Sequence, residues 1–255
     1  MIRDELYKSF LDFLSLQDIK VLESENSELT LLSDVKEEEL LNHLLIISEF
    51  HKKTMGYKGY MGLRLDNKTG STIEQYKVSI KRLKRYLKNI RINSASSDFE
   101  RKLLKVGFEY IKRCDSCISE IMNSGYMELI ERSMKRTEIC IGNPKFSNLC
   151  KNNNIIEIKS LNKCSYNNVE MDCFYLLSKY RKRNLKLDYK AIVNKYCEYE
   201  DLNKNSSRFI LALLSYPSEF IRSCNRYREK SKDWSEEEYG ERLNLAILKD
   251  GEVLF

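Results

Sequence analysis

The chain has 255 residues, of which 42% are hydrophobic and 32% charged, and its formal net charge is +6. That apolar content can fill one sizeable core, and no run of about eighteen apolar residues offers a membrane span. The opening stretch MIRDELYKSF carries acids and bases where a signal peptide needs an apolar centre, so the chain is expected to be cytoplasmic where it is synthesised.

Apolar residues recur at three- and four-residue intervals over long segments, which predicts a mainly helical architecture. Glu5 to Leu16 reads as a first helix. Ile19 to Leu22 and Leu29 to Leu32, separated by polar Glu23 to Glu28, read as a β-hairpin. Glu37 to Thr54 is an amphipathic helix closed by Gly56. The following GYKGYMG, Gly56 to Gly62, lacks both the GxGxxG spacing and a terminal Gly-Lys-Ser/Thr, and it follows a helix, so it reads as a surface connection rather than a phosphate loop. On this reading the stretch from Tyr57 to Arg64 is exposed.

Thr72 to Ile90 is a helix whose apolar positions Ile80, Leu83, Leu87 and Ile90 alternate with Lys77, Lys81, Arg82, Lys84, Arg85, Lys88 and, just beyond, Arg91. Its simplest reading is an amphipathic helix with a solvated cationic face. A polyanion-binding module is an alternative, although no nucleic-acid-binding signature accompanies the patch and nucleic acid is not an expected partner. Ser97 to Glu100 has the form of a capping box, opening the longest helix from Asp98 to about Met122.

The eight cysteines are dispersed, which suits reduced thiols. Cys114 and Cys117 have metal-ligand spacing but no second pair, and His43 and His51 add nothing to a metal case.

From Glu138 the pattern breaks into short strands, Ile139 to Ile141, Asn148 to Cys150 and Ile155 to Ile158, separated by Gly142-Asn143-Pro144 and Asn152-Asn153-Asn154. Helical spacing resumes over Met171 to Tyr180, Tyr189 to Tyr199, Ser206 to Tyr216 and Glu219 to Glu229. A last helix follows the capping box Ser235 to Glu238 and ends near Lys249.

The segments EFHKKTMGY, ICIGNPKFSN, IIEIKSLNKC, NVEMDCFYLLSKYRKRN and LALLSYPSEFIRSCNRYREKSKDW, in this order, resemble the spore coat kinase-like family, CotS and its relatives, which itself resembles aminoglycoside phosphotransferases and choline kinases. The resemblance runs from about Leu29 to the last helix and is strongest from Leu211 to Trp234. It implies an α+β, mainly helical fold: a protein-kinase-like C-terminal lobe over residues 36–255. Residues 1–35, the N-terminal helix and the hairpin, would be a remnant of the nucleotide-binding lobe.

In that family the catalytic loop reads His-Gly-Asp, four residues, then Asn, and acidic metal ligands follow the next strand. Gly142 and Asn148 match. Ile141, Asn143, Ser160 and Asn162 stand where the resemblance puts His, Asp, Asp and Asp. A catalytic-loop Asp contributes typically about 10²- to 10⁴-fold by handling the attacking hydroxyl's proton, which a neutral amide cannot accept. A serine hydroxyl is likewise a poor partner for a hard dication. Asp172 falls where the family has a structural Asp bracing the loop, so Gly142 and Asp172 are expected to be structural.

The resemblance therefore implies a pseudokinase without catalytic residues, cofactor or metal. It would bind other spore coat proteins during coat assembly and would not take a small-molecule substrate. The alternative is a residual small-molecule phosphotransferase with Glu157 or Asp172 recruited as the acid, which requires two carboxylates to converge on Asn148.

Overall fold

The computed structural model describes residues 9–22, 35–59 and 65–255. In chain order these form α1 (Phe10–Leu16), β1 (Ile19–Val21), α2 (Glu37–Thr54), β2 (Asp66–Asn67), α3 (Ser71–Asn93), α4 (Asp98–Asn123), α5 (Tyr126–Arg136) and the strands β3 (Ile139–Cys140), β4 (Leu149–Asn152), β5 (Ile155–Ile158) and β6 (Ser165–Tyr166). Five helices follow: α6 (Glu170–Arg181), α7 (Tyr189–Tyr199), α8 (Lys204–Ser215), α9 (Ser218–Arg228) and α10 (Glu236–Asp250). The architecture is α+β and mainly helical, as the periodicity predicts.

α2 buries Leu40, Leu44, Ile47, His51 and Thr54, a stripe at helical spacing, and places three glutamates in its first turn and His51, Lys52 and Lys53 in its last, in accord with the helix dipole. α8 is apolar almost all round. Phe209 to Leu214 are all buried, so this helix forms the centre against which α4, α6 and α7 pack. One core joins α1, α2, the strands β3 to β5, α6 and α7, and a second joins α3, α4, α9 and α10.

Two small sheets complete the fold, in the orders β1-β5-β4 and β2-β6-β3. β4 and β5 form a hairpin around Asn153 and Asn154, both at positive φ, the conformation a two-residue turn of primed type requires and that asparagine tolerates. β1 pairs in parallel with β5, Ile19 opposite Ile156. The expected second hairpin strand, Leu29 to Leu32, lies outside the described residues.

The structure corrects two readings of the sequence. Tyr57, expected on an exposed connection, is 1% exposed and lies between Phe10 and Phe13, with ring centroids 4.9 and 5.0 Å away. A tyrosine so placed joins α1 to the end of α2 through apolar burial, which outweighs the polar character of the surrounding sequence. Lys58 and Gly59 continue the segment, and 60–64 fall outside the described residues. α5 is the second correction, a helix between two left-handed residues, Gly125 and Thr137, that periodicity did not reveal.

α3 and α4 approach closely because Gly107 carries no side chain: a Cβ there would lie 2.8 Å from Leu87 Cδ1, and Leu87 is wholly buried. Gly107→Val is expected to lower the stability of the chain by about 1–3 kcal/mol through overpacking. Chemical denaturation checks this, and an unchanged midpoint would contradict the close contact.

Candidate functional site

The loop between β3 and β4, residues 141–148, is held by buried groups from three directions. From α6, the Asp172 carboxylate accepts the backbone N–H of Ile141 at 2.6 Å and that of Gly142 at 2.8 Å. From α2, His43 Nε2 donates to the Pro144 carbonyl at 3.1 Å, and its ring stacks on Phe146 with centroids 4.0 Å apart. From within the loop, Asn148 donates its amide to the carbonyls of Asn143 (3.0 Å) and Ser160 (3.3 Å) and accepts the Ser160 N–H at 2.9 Å.

Gly142 sits at φ +69, and a Cβ there would lie 2.2 Å from the Lys163 carbonyl oxygen. Both the left-handed backbone and the close approach require glycine.

Asp172 is positioned in turn by His51. The imidazole lies between two buried carboxylates, Nε2 at 3.0 Å from Asp172 Oδ2 and Nδ1 at 2.6 Å from Glu200 Oε1. Burial alone would lower its pKa. The negative charge of Glu200 and the hydrogen bonds to Asp172 and Glu200 outweigh burial and raise it to about 10, so His51 is an imidazolium at neutral pH that donates from both nitrogens. His43, in contrast, is pushed down to about 4, first by burial and further by the Lys179 charge, against the raising effect of the Pro144 hydrogen bond; it is neutral.

A second buried ionic cluster braces the back of the loop. Arg132 on α5 makes paired contacts to Glu138, at 2.9 and 3.1 Å, and to Glu170, at 2.8 and 2.7 Å, and Ser206 of α8 donates to Glu170 at 2.6 Å. Glu138 also accepts the Val169 N–H, which ties the start of α6 to β3.

The fold brings Gly142, Asn143, Asn148 and Ser160 together, with Asn162 beside them through its N–H to Ser160 Oγ at 3.4 Å. Ile141 turns its side chain into the core at 0% exposure. The Asn148 amide meets backbone groups of Asn143 and Ser160, and Glu157, on β5, contacts Cys150 instead. Asp172 spends its oxygens on two N–H groups and on His51.

Among the described residues, the grouping with metal-ligand geometry is His51, Cys140 and Asp172, whose donor atoms lie within 4.8 Å of one another. Each is already committed. His51 carries a proton on both nitrogens, and Cys140 donates to the Asn168 carbonyl at 2.9 Å with its thiol pushed far up by burial. Cys114 and Cys117 are buried in α4, and burial raises both thiols, Cys117 to about 12. On α3, Ile80, Leu83, Leu87 and Ile90 face inward, Lys77 pairs with Glu74, and Lys84 pairs with Asp115. No helix of the described residues is long and apolar enough to cross a membrane.

No family model matches the chain, and no curated protein matches its sequence. Three solved chains match its fold. One is the aminoglycoside phosphotransferase from Alicyclobacillus acidocaldarius subsp. acidocaldarius, which superposes with a TM-score of 0.63 at 13% identity, over 84% of this chain. The fold is kinase-like. The chain spans 63% of that neighbour's length, and at this identity the likeness describes the fold alone.

Sequence reading did not find His51, Glu200, His43 or Arg132. The one signal was a histidine inside the apolar stripe of α2, whose partner carboxylate lies 149 residues away.

Removing the imidazolium would leave two buried carboxylates without compensation, so His51→Gln is expected to cost about 3–5 kcal/mol. The sign of the pH dependence follows from a folded pKa raised from 6.5 to about 10. The stabilisation from His51 is complete below pH 6.5 and is lost as pH rises towards and through 10. Denaturation of the wild type from pH 6 to 10.5 should show this decline, and the variant should lack the component. A pH-independent difference between the two proteins would contradict it.

Proposed function

We propose that the chain is a non-catalytic kinase-like protein that acts by binding other proteins, in the assembly of the spore coat of an endospore-forming bacterium. The observation that carries the reading is the loop: Asp172 and Gly142, which give it shape, are present, while Asn143, Ser160 and Asn162 are neutral where the family resemblance puts proton-accepting and metal-holding acids. A loop whose backbone is pinned by a buried charge keeps its form without those acids, and a form without acid chemistry suits a binding role.

The engagement of Asn148 by backbone groups favours this reading over a rebuilt phosphotransferase site, which needs carboxylates on that amide. The coat assignment rests on the resemblance in several segments in order, from EFHKKTMGY to the stretch from Leu211 to Trp234, where it is strongest. Other coat proteins are the partners this reading names.

Two measurements test it. In a thermal-shift titration with millimolar magnesium-ATP the melting temperature should stay unchanged, and a phosphotransfer assay with aminoglycoside and choline acceptors should give no turnover. Clear stabilisation or turnover would refute the non-catalytic half. A fluorescent fusion expressed from its own promoter should accumulate on the developing spore, and uniform signal in vegetative cells would refute the coat half.

A further inference from the structure

At the end of β3 remote from the motif loop lies a cavity of about 280 Å³. Its walls come from separate parts of the chain: Lys58 after α2, Asn67 on β2, Ser133 and Met134 in the last turn of α5, and Tyr166 on β6 beside Glu138. These walls are fixed by the fold itself. The Gly56 N–H donates to the Thr137 carbonyl at 3.2 Å, which ties the end of α2 to the end of α5, and the Tyr166 hydroxyl donates to the Tyr57 carbonyl at 3.3 Å. Tyr57 is in turn packed between Phe10 and Phe13. Small-molecule sites are largely preformed hollows of roughly 300–1,000 Å³ with mostly apolar walls and a few polar groups, so this cavity stands at the lower end of that range and suits a ligand of a single ring.

The polar groups that line it decide which ligand. Ser133 is 2% exposed, yet its hydroxyl makes no hydrogen bond among the described residues, an unfavourable state that a partner inside the cavity would relieve. Asn67 gives its side-chain oxygen to the Thr69 N–H at 3.0 Å, which leaves its amide N–H groups unspent. Lys58, exposed at the mouth, has no ion pair among the described residues. Glu138, the carboxylate in the lining, spends both oxygens on Arg132 and one of them also on the Val169 N–H, so its charge is compensated from behind and does not offer itself to a cation. What remains for a ligand is a positive charge, an amide donor and a hydroxyl, beside the apolar side chain of Met134 and the ring of Tyr166.

We propose that this cavity binds a small organic carboxylate with an apolar body about the size of one ring. The carboxylate meets the Lys58 ammonium and the Asn67 amide, the ring lies against Met134 and Tyr166, and the buried Ser133 hydroxyl gains its missing partner. The site is separate from the motif loop, so it calls on neither an acid nor a metal there, and it goes beyond the protein-binding role proposed above.

Isothermal titration of the full chain with benzoate, 4-hydroxybenzoate and phenylacetate at about 0.15 M salt tests the proposal. Saturable binding of at least one of the three is expected. Lys58→Met should weaken the tightest of them about tenfold or more, Ser133→Ala should weaken it several-fold, and Met134→Glu, which sets a negative charge at the same mouth, should abolish it. Lys58 and Met134 are exposed, so both of those variants are expected to fold. Lys81→Met, which removes one exposed charge on α3 outside the cavity, should leave binding unchanged.

Benzamide and benzylamine, titrated in parallel, assign the charge, and each should bind at least about tenfold more weakly than the tightest carboxylate. Either of them binding as tightly would overturn the carboxylate assignment. Full affinity retained in any of the three cavity variants, equal weakening by Lys81→Met, or no saturable binding of any of the three carboxylates would overturn the site.

Discussion

The structure depends on one buried arrangement, the His51 imidazolium between Asp172 and Glu200. Two carboxylates buried side by side would repel each other and forfeit hydration, and neither cost is met by the surrounding apolar core. The imidazolium resolves both by donating to each, and in doing so it fixes α2, α6 and α7 relative to one another. Asp172 then has its oxygens directed at the N–H groups of Ile141 and Gly142, so the charge balance in the core becomes the shape of a surface loop. Arg132 repeats the device, one guanidinium between Glu138 and Glu170, at the strand that enters the loop.

None of this anchoring involves the residues at 143, 160 or 162. Asn143 and Ser160 are half-buried and Asn162 is exposed, and none of the three needs a charge for those contacts to form. Asn148 shows how thoroughly the loop is closed on itself, since its amide satisfies backbone groups on both sides of the β4–β5 hairpin. The separation between shape and chemistry explains how a kinase-like fold and a neutral loop coexist in one chain.

Local features of the fold were legible in the sequence. Helical spacing marked α2, α3, α4 and the helices from α6 onward, Asn153-Asn154 marked the β4–β5 turn, and Ser235 caps α10 through the reciprocal contacts its sequence predicts. At Ser97 only half the box forms, since Glu100 turns to Ser96 and to the Tyr86 hydroxyl. What was hidden is non-local. The parallel pairing of β1 with β5 joins residues more than a hundred positions apart, Tyr57 is buried against α1, more than forty positions earlier in the chain, and a histidine at the end of an amphipathic stripe does not announce which distant carboxylates will meet it. In the site, the need for glycine at 142 was readable because it is a requirement at a single position. The ionic clusters were not, because their meaning lies in pairs.

The central claim, that the buried Asp172–His51–Glu200 charges hold the start of the loop, is tested most directly by native-state amide hydrogen exchange at Ile141 and Gly142. The account predicts that both amides exchange only through global unfolding and that magnesium-ATP leaves their rates unchanged. Fast local exchange at these two positions, or protection that appears only when magnesium-ATP is added, would contradict it.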